Sequence, residues 1–235
     1  MNPTATTQQT VTAPAQDTPE RVAALRELAA RDSVAAQDGA WGWFERLGRL
    51  AITDRAAGSA QLADVFACGR PVQGIDGPTD GILVTTLIHP AVDRLARGLT
   101  ALWMPWKGKN FHAIQERGEN RLTPSTQWLA RLVWPRYATR ATEGGRLAFD
   151  FQTRVEPGAV EPAVDVLVID YAPVQSNPRL GIKSIRDELV EIVPGGHLGR
   201  ILYRLSGGGY RNLGYFALRE PAAPDSPNSV PAPIA

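Results

Sequence analysis

The segment LWMPWKGKNFH, residues 102 to 112, sets apolar bulk beside two ammonium groups. Trp103, Trp106 and Phe111 would line an apolar cavity, with Lys107 and Lys109 pairing with a ligand carboxylate or phosphate. A small-molecule site needs that mixture, an apolar wall with a few polar groups set into it. Two other readings stay open. Trp103 and Phe111 can belong to the core, with both lysines solvated and their stems lying over Trp106. The segment can also anchor on a membrane surface, tryptophan at the interface and lysine toward the head groups.

A second pair follows in VDVLVIDY. Asp170 and Tyr171 are consecutive strand residues, so only one of them can face an interior. An inward Asp170 among Val166 and Val168 would have its pKa raised by burial and become a general base. An inward Tyr171 would instead donate a hydrogen bond to a ligand carbonyl. Arg186, with Asp187 and Glu188, reads as a solvated face or a salt bridge, or as a cation closing the base of a barrel. Tyr203, in GRILYRL, is counted with the ligand-binding candidates.

Other chemistry finds less material. His89, His112 and His197 are the three histidines, and none has a neighbour at metal-ligand spacing. His197, in PGGHLG, is placed in a glycine-rich turn, where an axial haem ligand is the functional reading and a surface histidine the plain one. No cofactor is otherwise expected. There is no G-x-S-x-G elbow, and Cys68 reads as a buried, inert thiol. The run GGG at 207–209 is a turn and not a phosphate loop, because no helix follows it.

Composition bounds the partners. Lys+Arg number 25 against 24 Asp+Glu, so the chain lacks the basic surface that nucleic acid demands. One cysteine excludes an internal disulfide. The start, MNPTATTQQTVTAPAQD, has neither the basic nor the apolar part of a signal peptide. No apolar run reaches the roughly 18 residues of a membrane span. A soluble cytoplasmic protein is expected, and a homo-oligomer stays open.

The elements that must position these residues come in two blocks. Residues 1–17 and 221–235, rich in Thr, Gln, Pro and Ala, are expected to be disordered. Residues 18–79 read as a helical extension. Thr18 caps the first helix ahead of Pro19 and Glu20, WGWFERLGRLAI forms a second, and a third starts at Ser59. Residues 80–220 change to a period of two. GILVTTLIH is a buried strand, and RLAFDFQTRV alternates, with Leu147, Phe149, Phe151, Thr153 and Val155 on one side. VDVLVIDY follows as a strand, IKSIRDELVEIV as a strand with a helical turn as the alternative, and SGGGY joins a final hairpin. Successive strands with short turns make an antiparallel meander, which removes its edges by closing into a barrel. The expected class is mainly β with N-terminal helices, an α+β chain built on a barrel.

The run LADVFACGRPVQGIDGPTDGILV, followed by WMPWKGKNF, resembles the bacterial GXWXG proteins. IDYAPVQSNP and DELVEIVPGGHLG stand where that family carries a D-Y-x-P segment and a late strand ending in Leu-Gly. GPTDGILV departs from it by lacking the family's tryptophan. The closing hairpin, LGRILYR to GYFALR, is also similar to lipocalin-like barrels. The resemblance implies a calycin-like barrel with room for an apolar ligand, and no reaction. The expected function is therefore binding of a small apolar, lipid-like molecule with an anionic or carbonyl end. A cofactor-free isomerase, cyclase or hydrolase using Asp170, and a protein-interaction module, are the alternatives.

Overall fold

The computed structural model describes residues 17–87, 106–124, 134–179 and 181–221. Three helices open it: α1 (Thr18–Ala29), α2 (Ser33–Thr53) and α3 (Arg55–Ala67). Thr18 is the first helical residue and not the cap; Asp17 holds that position without a side-chain bond. The aspartates cap the other two, Asp32 accepting from the Ala35 N–H at 2.9 Å and Asp54 from Ala57 at 3.0 Å. These caps set longer helices than hydrophobic spacing alone marks, since a carboxylate satisfies an otherwise orphan N–H. Ser59 consequently lies inside α3. No helix among the described residues is long and apolar enough to cross a membrane.

Among the described residues, eleven strands form one antiparallel sheet. They are β1 (Arg70–Pro71), β2 (Gly77–Pro78), β3 (Asp80–Thr86), β4 (Trp106–His112), β5 (Arg117–Leu122) and β6 (Arg140–Thr142), then β7 (Gly145–Pro157), β8 (Asp165–Asp170), β9 (Ile185–Val193), β10 (Gly196–Arg204) and β11 (Tyr210–Arg219). The order is β2-β4-β5-β7-β8-β9-β10-β11-β3, with β1 paired to β9 and β6 to β7. The two ends of this path, β2 and β3, are separated only by Thr79. Its N–H and its hydroxyl both donate to the Lys109 carbonyl, at 2.8 and 2.9 Å. That joint nearly closes the sheet into a barrel.

Gly108 is what lets the joint close. Its φ is +142°, and a Cβ there would stand 2.0 Å from the Thr79 carbonyl oxygen. No L side chain fits both conditions.

The barrel wall is buried on both sides over β8 to β11, which explains why VDVLVIDY reads as continuously apolar rather than alternating. Leu167, Ile169 and Tyr171 join the interior core with Phe111, Phe149, Phe151 and Phe216. Val166 and Val168 face outward, into a second core with Trp43, Phe44 and Leu47 of α2 and Leu62, Val65 and Phe66 of α3. The helices are therefore a layer over one wall of the barrel, sharing a second core with its outer face. On β7 the alternation holds for Phe149 and Phe151 but not to its end, because Val155 is 52% exposed. The expected disordered ends, 1–17 and 221–235, fall outside the described residues except for Asp17, which stands at the start of α1, and Pro221.

Gly108→Ala is expected to destabilise the fold by about 2 kcal/mol or more, through strain and the clash at the barrel joint. A urea unfolding midpoint equal to wild type would show that the joint does not depend on this glycine.

Candidate functional site

Strand parity sorts the candidate residues. On β4 a register shift between Trp106 and Gly108 sends Trp106, Lys109 and Phe111 inward. Lys107 is exposed, its Nζ donating to the Gly144 carbonyl at 3.0 Å. On β9 the alternation puts Asp187 inside and Arg186 outside. On β5, Asn120 enters the interior, from a strand, RGENRL, that has no apolar alternation to announce it.

Lys109 is the centre of the site. Only 2% of it is exposed, and its ammonium donates to Asn120 Oδ1 at 3.0 Å, Tyr171 Oη at 2.6 Å and Asp187 Oδ2 at 2.9 Å. All three N–H donors are thereby used. The Tyr171 hydroxyl donates in turn to Asp187 Oδ2 at 2.9 Å. Asn120 Nδ2 donates to the Phe149 carbonyl at 3.1 Å and to Tyr171 Oη at 3.2 Å, while Trp106 Nε1 donates to Asn120 Oδ1 at 3.0 Å. The Phe149 carbonyl is available because a register shift between β5 and β7 holds Phe149 at φ +52°. Such a bulge re-aims groups that a regular ladder would consume.

Four rings enclose the ammonium: Phe151 and Phe216 at 5.2 Å, Tyr171 at 5.3 Å and Trp106 at 5.8 Å from Nζ to the centroid. The π faces offset part of the lost hydration. Burial still pulls the Lys109 pKa below its ordinary 10.5, against the opposing pull of Asp187. Burial, followed by the charge of Asp187, holds the Tyr171 hydroxyl well above its ordinary 10. One polar atom in the cluster is unmatched: Asp187 Oδ1 is buried with no hydrogen-bond partner.

The cluster forms one side of a cavity of about 50 Å³, whose other walls include Leu83, Leu122, Phe149, Ile185, Ile201 and Phe216. That volume takes a small polar head group, well short of the roughly 300 Å³ of sites that engulf a drug-sized ligand. A larger concavity, about 930 Å³, lies elsewhere and is lined by His112, Glu119, Arg140 and Asp150 among others. Four of its ionisable side chains pair with one another: Arg140 spans Asp150 at 2.8 Å and Glu119 at 3.8 Å, and His112 meets Glu119 at 3.2 Å. The interior cavity is the better candidate because its buried acceptor is unmatched.

The remaining candidates fall away from this cavity. Asp170 points outward, where Oδ2 accepts from Arg154 at 3.2 Å and Oδ1 from the Ala172 N–H at 3.0 Å. It is Tyr171, and not Asp170, that the strand turns inward. Arg186 is buried on the outer face against Glu156 and Glu188 and closes no barrel base. Tyr203 is partly buried against the interior core. His197 is fully buried, not in a surface turn, and its Nε2 lies 2.9 Å from Glu220 Oε1. It is absent from the cavity wall and does not offer a haem ligand there. Trp103 and His89 lie outside the described residues. Asp187 and Asn120 are the residues that sequence reasoning missed as site members. A charge in IRDELV looks solvated until the helices are known to cover the other face.

No protein-family model matches the chain, and no curated protein does. A crystal structure of a protein from Thermomonospora curvata is similar, at 16% identity and a TM-score of 0.41, over 76% of this chain and 97% of that one. At that score the likeness carries no argument.

Removing one partner of a buried ion pair leaves the other uncompensated. Lys109→Met or Asp187→Leu alone is expected to cost about 3–5 kcal/mol, and the double variant Lys109→Met/Asp187→Leu much less. A double-mutant cycle in urea checks it; additive costs would mean the pair is not coupled.

The lowered Lys109 pKa also has a pH signature. Between the folded value and 10.5 the unfolded chain binds more protons, so stability rises with pH in that window. Relative to the double variant, the wild type should gain stability as pH climbs from neutral toward 10; a flat difference would sink this assignment.

Proposed function

We propose that the barrel binds a small apolar molecule whose carbonyl or other polar end meets Lys109 and Tyr171. The observation that carries this reading is the Lys109–Asn120–Tyr171–Asp187 cluster, sealed among aromatic rings beside a cavity, with Asp187 Oδ1 left unmatched. A purely structural ion pair gains nothing from an orphan acceptor, which costs about 1–3 kcal/mol when buried. A ligand hydroxyl donating at that position, including one formed from a carbonyl, would match it.

Burial of the apolar part would supply affinity at about 25 cal/mol per Å² removed from water. The cavity volume limits what enters, so short compounds are favoured over long acyl chains. The membership in the GXWXG group suggested by WKGKNF belongs to the same proposal, since Gly108 and Lys109 of that run form the barrel joint and the site. Location in the cytoplasm is likewise an expectation of this reading.

A second reading, a cofactor-free enzyme in the same barrel, is favoured by the same open carboxylate. It moves the general base from Asp170, which is engaged outside, to Asp187.

The test is native mass spectrometry of gently purified protein, followed by tryptophan-fluorescence titration with short ketones and aldehydes. Binding is expected to weaken about fivefold to tenfold in Tyr171→Phe, the loss of roughly one hydrogen bond, and to be unchanged in Asp170→Asn. Equal affinities in Tyr171→Phe and wild type would remove the polar end from the proposal.

A further inference from the structure

We infer that Lys109 is a carbonyl-capturing amine, forming a reversible imine with a small apolar aldehyde or ketone that enters the barrel cavity. The inference rests on the binding reading above and names its ligand class. Three features converge on it.

The first is the choice of lysine. The chain has three lysines, Lys107, Lys109 and Lys183, against 22 arginines. Arginine is the better residue for a purely structural buried pair, being always charged and forked to match a carboxylate. Yet the innermost cation of the barrel is a lysine, whose amine can lose its proton and act as a nucleophile.

The second is proton handling. Nζ touches both Tyr171 Oη and Asp187 Oδ2, so a carboxylate to receive the ammonium proton lies within hydrogen-bond reach. Burial lowers the cost of that transfer. The third is room. Lys109 and Asp187 both line the cavity, and Asp187 Oδ1 has no partner. It is available to the hydroxyl that the reaction creates.

The step balances without a further reagent. The ammonium gives one proton to Asp187, and the free amine attacks the carbonyl carbon. A C–N bond forms as the C=O π electrons move to oxygen. One proton passes from nitrogen to that oxygen, giving a neutral carbinolamine. Asp187 then returns its proton to the hydroxyl, the C–O bond breaks and water leaves. The nitrogen lone pair closes the C=N bond. The product is an iminium ion beside the Asp187 carboxylate, the same charges in the same places as before.

The test uses the full chain with butanal and sodium cyanoborohydride near neutral pH, with digestion and mass mapping of the three lysines over time. Butanal binding without reductant is followed in parallel by tryptophan fluorescence. Lys109 is expected to gain a butyl group about tenfold faster than exposed Lys107 or than Lys183, as an activated amine should. Lys109→Arg, if folded by circular dichroism, is expected to lose only that fast phase. Saturable butanal binding with Lys109 labelled no faster than Lys107 would overturn the imine and leave the binding reading standing. Neither saturable binding nor selective labelling would overturn both.

Discussion

An ammonium group held out of water in the centre of a β-barrel is the constraint on which the rest of this structure depends. Desolvating such a charge costs several kcal/mol even after relaxation, and no single partner offsets it. Lys109 needs Asp187 for charge, Asn120 and Tyr171 for its other protons, and four rings for the remaining solid angle. Each requirement recruits a different strand. β4 brings the lysine, β5 the amide, β9 the carboxylate, and the tyrosine follows β8. Closure of the barrel is what makes them meet, and closure passes through the lysine's own carbonyl, held by Thr79.

The outer wall solves a related problem with the opposite outcome. Arg186, Glu188 and Arg200 are also buried, under α3 and the loop after β7. They form a chain in which Arg200 reaches Glu188 at 2.8 Å and its guanidinium stacks 4.3 Å from the Phe66 ring. The Ala159 N–H adds a further donor to Glu188 at 2.7 Å. Glu188 has no orphan oxygen, and the one unmatched atom of this outer cluster is a donor, Arg200 Nε. The contrast across one strand is informative: Glu188 is closed on all sides, whereas its neighbour Asp187 is open on one. An acceptor left open beside apolar walls is where a ligand has something to contribute.

A small cavity with a saturated donor set also shapes the kind of recognition available. Every proton of the Lys109 ammonium already has an acceptor, so a ligand enters by displacing a bond or by meeting the free carboxylate oxygen. This favours small polar ends over bulky anionic head groups, for which the site has no spare cation. The other cations expected at the site do not supply one, since Lys107 is turned to solvent and Arg186 is paired on the far side of the sheet.

Much of the architecture was legible in the chain itself. Period-two stretches, the SGGGY reversal and the helical spacing before residue 70 were enough for helices followed by an antiparallel barrel, because side-chain periodicity is local and survives without knowledge of neighbours. The segment WKGKNF was legible as a mixed apolar and basic wall, and three of its members, Trp106, Lys109 and Phe111, do face the interior. Which of Asp170 and Tyr171 points inward was left open by sequence, as was the difference between Lys107 and Lys109. Inward and outward are properties of a closed surface, and each bulge, at Gly108 and at Phe149, shifts the parity by one residue. Asn120 and Asp187 carried no signal of their own. They became site residues because strands distant in sequence closed around one lysine. That pairing is decided by tertiary structure, where the free energy of burying a charge depends on everything that surrounds it.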